Sequence, residues 1–150
     1  MRFPALAVLC VLTIPVPLAA QEEQPTRRIL GTEHLRVFHW PEDEDLAEIA
    51  RDTGSDAISR LSAILDVALE DRIDVYIVRS RKEFDELTGV ENTPWIIGRA
   101  IPSKLRVVVK PMGPQRLPGL LAHELAHIML DLRMGEKAGM IPRWLHEGIA

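Results

Sequence analysis

Four short segments of the chain have the apolar pattern of β-strands. Residues 35–38 alternate apolar and polar side chains, and residues 73–78 continue the same strand-like character. Two further runs, 96–101 and 105–109, are rich in β-branched side chains. The segment 102–104 between them begins with proline, and we expect it to turn the chain so that the two runs form a hairpin.

Apolar positions spaced three to four residues apart predict helices between these strands. The acidic residues 42–45 open the first helix, where the helix dipole favours negative charge. Its apolar stripe consists of Leu46, Ile49, Thr53, Ala57, Leu61, Ile64 and Leu65. Ser80, followed three residues later by Glu83, predicts an N-cap with a capping box for a short helix that ends at Gly89.

The apolar segment 117–134 predicts a buried helix with a second, polar face. Its apolar stripe is Leu117, Leu121, Leu125, Ile128 and Leu132, and the residues outside the stripe include His123, Glu124, His127 and Asp131. Strands and helices in this order predict an α+β fold, in which a small mixed sheet packs on this helix. Pro142 predicts the start of a further helix at the C-terminus.

The first 20 residues have the composition of a signal peptide. Arg2 precedes a mainly apolar run that ends at Ala20, so cleavage is expected before Gln21. An uncleaved anchor is the alternative, but two prolines and a core shorter than about 18 apolar residues favour cleavage. We therefore predict export to the periplasm or outside the cell, a flexible polar lead-in at 21–32 and a single domain at 33–150.

Charge and cysteine content narrow the possible partners. The formal net charge is −4 and the charged residues are scattered, which argues against a nucleic-acid or anionic-membrane partner. No stable membrane span is expected after signal cleavage. The single cysteine, Cys10, would leave with the signal peptide, so the mature chain would have no disulfide and no cysteine-based structural zinc site. The oligomeric state does not follow from these features.

His-Glu-Leu-Ala-His at 123–127 carries the chemistry of the predicted buried helix. Because positions i and i+4 lie on one helix face, His123 and His127 can offer imidazole nitrogens to one cation. Glu124 beside them can take a proton from a metal-bound water. Two histidines on a helix also occur for ordinary packing reasons, so the pentapeptide alone does not establish a metal site.

Glu147 is the candidate for the third ligand, twenty residues after His127 and inside the predicted C-terminal helix. A catalytic zinc site with three protein ligands keeps a fourth position open. The extended metzincin motif is excluded, because it requires Gly at position 130 and His at 133, where this chain has Leu130 and Arg133.

HELAH at 123–127 and PRWLHEGIA at 142–150 together resemble the HExxH and W-x-x-E-G-x-A pair of the gluzincin zinc peptidases. Among these, the chain is most similar to the thermolysin-like, peptidase MA-like exported metallohydrolases. The resemblance implies a zincin-like N-terminal lobe and one Zn²⁺ per chain, held by His123, His127 and Glu147. It also implies hydrolysis of peptide bonds, with the metal-bound water activated by Glu124.

The resemblance also implies that an edge strand pairs with an extended peptide substrate. Residues 96–99 or 105–109 would be that strand; the alternative is an ordinary edge protected by Arg99, Arg106 and Lys110. In the family, residues after the third ligand complete the cleft, so we expect a domain that is incomplete at the C-terminus. The alternative function is a non-catalytic exported peptide-binding or scaffold module with the same fold, inactive through truncation.

Overall fold

A computed structural model of the chain describes residues 26–90 and 93–149. The predicted signal peptide at 1–20 and the first part of the predicted lead-in lie outside these residues. The strands are β1 (Arg28–Gly31), β2 (Leu35–His39), β3 (Ile73–Ile77), β4 (Gly98–Ile101) and β5 (Arg106–Val109). The α-helices are α1 (Glu44–Leu65), α2 (Arg81–Thr88), α3 (Leu117–Met134) and α4 (Arg143–Ile149), and short 3₁₀ turns occupy Pro41–Asp43, Pro102–Lys104 and Gly135–Met140.

The strands form one five-stranded mixed sheet in the order β1-β2-β3-β5-β4. Neighbours are parallel in the middle of the sheet and antiparallel at its two ends. This confirms the predicted α+β class and the small mixed sheet. The predicted hairpin is also present, since β4 and β5 pair antiparallel across the Pro102–Lys104 turn.

Two details of the sheet correct the sequence prediction. Strand β1 lies inside the segment 21–32 that was predicted to be a flexible lead-in, because residues from Arg28 to Gly31 pair with β2. The segment 105–109 is not an edge, because β5 lies between β3 and β4. Among the described strands, the free edge on this side of the sheet is β4.

Helices α1 and α3 cover one face of the sheet, and the main core lies between these helices and the strands. The core residues alternate along the strands, as expected for a face buried on one side. The fully buried members include Leu35, Val37, Ile73, Val75, Val107, Val109, Leu121, Leu125 and Ile128. Helix α3 therefore has a fixed position relative to the strands.

Five residues of the predicted α1 stripe pack against the core and are partly buried, but the fully buried line lies beside them: the five are Leu46, Ile49, Ala57, Leu61 and Leu65. The buried residues of α1 are Ala47, Ala50, Gly54 and Ile58, while Ile64 is 77% exposed. A Cβ on Gly54 would lie 2.8 Å from Leu35 Cδ2 and 3.2 Å from Leu121 Cδ2. Small residues thus allow α1 to approach both β2 and α3 closely, which a count of large apolar side chains does not predict.

The opposite face of the sheet holds a second, smaller core under α2. Phe84 on α2 is buried with Val78 and Val108. The predicted N-cap is confirmed, because the Ser80 hydroxyl accepts from the N–H of Glu83 at 3.1 Å. The helix ends at Gly89, as predicted, in the left-handed conformation with φ of 68°.

Within the described ranges, no helix is both long and apolar enough to cross a membrane.

Helix α3 offers a test of the core in which two of its leucines are compared. Leu125 is fully buried, whereas Leu132, which the predicted stripe also included, is 41% exposed. We expect Leu125→Ala to lower the free energy of unfolding by about 2–5 kcal/mol through lost burial and a cavity. Leu132→Ala should change it by about 0.5 kcal/mol or less, as exposed positions do. Urea denaturation of both variants would measure this, and equal losses would contradict the packing described.

Candidate metal centre

The two histidines of the HELAH segment lie on the same face of α3. Their Nε2 atoms are 3.1 Å apart, and the rings meet edge to face with centroids 4.5 Å apart. The i, i+4 spacing therefore brings the nitrogens to one point, as predicted from the helical repeat. The side chain of His123 is 36% exposed and that of His127 is 12% exposed, so the pair lies at the border between core and solvent.

Helix α4 brings Glu147 to the histidine pair. Helix α3 ends at Gly135 with φ of 54°, and the 3₁₀ turn Gly135–Met140 then reverses the chain into α4. Glu147 Oε2 lies 3.6 Å from the Nε2 atoms of both His123 and His127. The predicted C-terminal helix is thus present, and its Glu147 carboxylate lies near the two histidines. Trp144 on α4 is 75% exposed.

The spacing of the three donor atoms fits a tetrahedral zinc ion. Bonds of about 2.0–2.1 Å in a tetrahedron place the donor atoms about 3.3–3.4 Å apart. The observed separations of 3.1, 3.6 and 3.6 Å surround this value. Among the described residues, His123, His127 and Glu147 form the group of His, Cys, Asp and Glu side chains that could hold a metal ion.

Glu124 lies beside the donors but is directed into the protein. Glu124 is only 7% exposed. Burial raises the pKa of Glu124, and the charge of Glu147 raises it further. Three weaker effects lower this pKa: the charge of His123, a hydrogen bond from the Ala100 N–H, and the charge of Arg99. A carboxyl whose ionised form is disfavoured by burial but held by hydrogen bonding is a typical proton carrier of an active site.

Strand β4 forms the wall opposite the donors and makes room for Glu124. A Cβ on Gly98 would lie 2.8 Å from Glu124 Oε1 and 2.8 Å from Leu120 Cδ1. A side chain at this position would therefore displace the carboxylate or the strand. Gly98, Arg99 and Ala100 line, with the donors, an open cavity of about 370 Å³.

The hydrogen-bond pattern of β4 leaves main-chain groups at the free edge of the sheet. The N–H of Lys110 donates to the carbonyl of Ile97 at 2.8 Å, which makes these two residues a hydrogen-bonded pair. Because such pairs alternate in an antiparallel ladder, the groups of Arg99 point towards Val108. Those of Gly98 and Ala100 point away from β5, and the Ala100 N–H donates to Glu124.

The contact between β4 and Glu124 was not predicted from the sequence. The hairpin was expected, but Gly98 and Ala100 were not recognised as neighbours of Glu124. The absence of a Cβ at position 98 becomes meaningful only when the strand is placed on α3. Arg99 had been noted only as a charge that could protect an edge.

Fold and site together define an α+β domain with a His–His–Glu donor cluster at the edge of a mixed sheet. Neither a scan against models of known protein families nor searches of curated proteins and of solved structures found a match to this chain. The case for a particular function therefore depends on the donor atoms and the groups around them.

The buried carboxyl gives a pH-dependent test without metal. Because the pKa of Glu124 is raised in the folded state, its ionised form destabilises the metal-free fold at neutral pH. Glu124→Gln should therefore increase the free energy of unfolding above the folded-state pKa. The gain should shrink as the pH falls through the folded-state pKa and vanish below the ordinary value of 4.5, where the wild-type carboxyl is protonated in both states.

Urea denaturation of both proteins at pH 5 and pH 8, in the presence of a chelator, would measure this gain. Glu136→Gln, at an exposed position in the 3₁₀ turn after α3, is the control. A stability gain that is the same at both pH values, or a loss at pH 8, would contradict the raised pKa.

Proposed function

We propose that the chain is a zinc-dependent metallopeptidase of the gluzincin type, with a zincin-like lobe that hydrolyses peptide bonds. One observation carries the proposal: three donor atoms converge at tetrahedral spacing, and the buried carboxylate of Glu124 lies directly beside them. A structural zinc site does not require such a carboxylate. The paired motifs at 123–127 and 142–150 support the same class.

Each site residue has a role in the proposed reaction. His123, His127 and Glu147 would hold one Zn²⁺ per chain. When bound, the ion would act as a Lewis acid and lower the pKa of a coordinated water to about 7. Glu124 takes a proton from the attacking water and then gives it to the leaving amine. The Ala100 N–H holds the Glu124 carboxylate in position for both transfers.

The free edge of β4 supports an extended peptide as substrate. The main-chain groups of Gly98 and the carbonyl of Ala100 point to this edge and can pair with a peptide by β-strand addition. A peptide bound there would pass beside Glu124, because Gly98, Ala100 and Glu124 all line the cavity that contains the donors. The proposal therefore assigns the substrate role to β4 and not to residues 105–109.

The proposed enzyme would act outside the cytoplasm, in the periplasm or the extracellular space. The signal-peptide composition of residues 1–20 supports this part of the proposal.

Cleavage of an unstructured protein tests the proposal. The chain would be treated with a chelator, dialysed and incubated with casein, with and without added Zn²⁺. Cleavage that disappears with the chelator and returns with zinc is the expected result. Absence of cleavage by the zinc-loaded chain, or cleavage unaffected by the chelator, would overturn it.

A further inference from the structure

Arg99 differs from most arginines of the described part of the chain because its side chain forms no ion pair or hydrogen bond there. Arg36 pairs with Asp74, Arg79 with Asp43 and Arg81 with Asp85, each at 2.6–2.7 Å. Arg99 is exposed, and its charge has a minor effect on the carboxylate of Glu124. An arginine that is not used within the fold remains available for a ligand.

The register of β4 places Arg99 opposite a single residue of an added strand. Since the main-chain groups of Arg99 point towards Val108, Arg99 is a non-hydrogen-bonded position on the free-edge side. In an antiparallel pair, residues at such positions approach most closely, with Cβ atoms about 4.5–5.5 Å apart. The facing residue of a bound peptide would extend its side chain on the same face of the sheet as Arg99.

The side chain of Arg99 lies on the face of the sheet that carries α2, and not on the face that carries the donors. Arg99 pairs with Val108, which belongs to the core under α2, whereas its neighbours Gly98 and Ala100 face α3. Arg99 is the only Arg or Lys among the residues that border the cavity, and its positive charge is available to a peptide added at the β4 edge. An acidic side chain beside Arg99 would balance it, whereas a basic one would be repelled.

We infer that Arg99 is a specificity-determining residue that selects peptides with Asp or Glu at the position paired with it on β4. The inference rests on the proposed function, because it requires a peptide added to the β4 edge. It narrows the substrate class to acidic peptides cleaved close to the acidic residue, since Arg99 lies between the two β4 residues that adjoin Glu124. Opposite charges facing each other across two strands favour binding by about two- to fivefold.

The experiment compares binding and cleavage of a matched peptide series. The probes are acetylated, amidated Ala/Leu hexapeptides with one Glu, Gln or Lys moved through the sequence, and one unblocked peptide without acidic side chains. Isothermal titration calorimetry on zinc-loaded Glu124→Gln gives the dissociation constants without turnover. Arg99→Met and Arg99→Glu are each introduced into the Glu124→Gln variant for binding and into the active chain for cleavage. Lys104→Met, in the neighbouring turn, is the matched control.

We expect a two- to fivefold preference for Glu over Gln at one peptide position. Arg99→Met should remove the preference, Arg99→Glu should reverse it in favour of Lys, and Lys104→Met should leave it unchanged. An effect on folding alone cannot reverse a charge preference. Circular dichroism would confirm that the exposed substitutions leave the fold intact.

Three results would overturn the inference. The first is a preference for Glu that persists in both Arg99 variants. The second is tighter binding of the unblocked peptide than of the blocked Gln peptides, which would show that a free C-terminal carboxylate is recognised in place of an acidic side chain. The third is binding of the series without any preference. If casein is still cleaved in a zinc-dependent manner, only the inference fails; if neither cleavage nor peptide binding occurs, the proposed function fails with it.

Discussion

Zinc is expected to stabilise the wild-type chain, and His127→Ala is expected to remove both the bound metal and the gain in stability. A ligand that binds only the folded state stabilises it by about 2.7 kcal/mol when its free concentration is 100 times the dissociation constant. The donors at 3.1 and 3.6 Å spacing lie on α3 and α4, so they come together only in the folded chain. The wild-type chain should bind one Zn²⁺.

Glu147→Ala should weaken zinc binding as well, because it removes the third donor. Metal analysis after dialysis and thermal unfolding with and without zinc would measure both effects. His34→Ala, before β2 and outside the donor cluster, is the control for a lost histidine, and Glu136→Ala is the control for a lost carboxylate. Equal zinc content in His127→Ala and in the wild-type chain would contradict the assignment of the ligands.

Glu124→Gln is expected to reduce peptide hydrolysis by about 10²–10⁴-fold while the chain still binds zinc. Gln keeps the size of the side chain and can occupy the space beside Gly98, but it cannot accept and return a proton. Because Glu124 is not one of the three donors, the zinc content should stay at the wild-type value. Loss of activity with retained metal would separate the proton carrier from the ligands.

The rate of cleavage of casein and the metal content of the same preparation would be measured together, with Glu136→Gln as control. Full activity in Glu124→Gln would contradict its role as the proton carrier. A wild-type chain that binds zinc and peptides without turnover would instead favour the non-catalytic peptide-binding module.

The local part of the site could be predicted from the sequence. His123 and His127 converge because four residues make about one helical turn, a relation that holds in any α-helix. The capping of α2 by Ser80 and Gly89 is local in the same sense, since each cap involves residues within one turn. Glu147 was found by its motif and by the Pro142 helix start, although its approach to the histidines depends on the turn after α3.

Longer-range relations were harder to predict. β1 was missed because its pairing with β2, and not an apolar pattern of its own, makes it a strand. The predicted stripe of α1 selected large side chains, whereas the buried line uses Gly54 and alanines that allow close approach to α3. In both cases the decisive contacts join residues that are distant in the chain or small in size.

The sequence by itself therefore determined the α+β class, the approximate positions of the helices and strands, and which side chains could serve as donors. These properties follow from periodicity and short-range geometry. Only the tertiary structure decided that β4 is the free edge, that Gly98 makes room for Glu124, and that the Arg99 side chain forms no ion pair with the described residues. The physical reason is that strand order and packing distance depend on pairing between segments far apart in the chain, which no local pattern encodes.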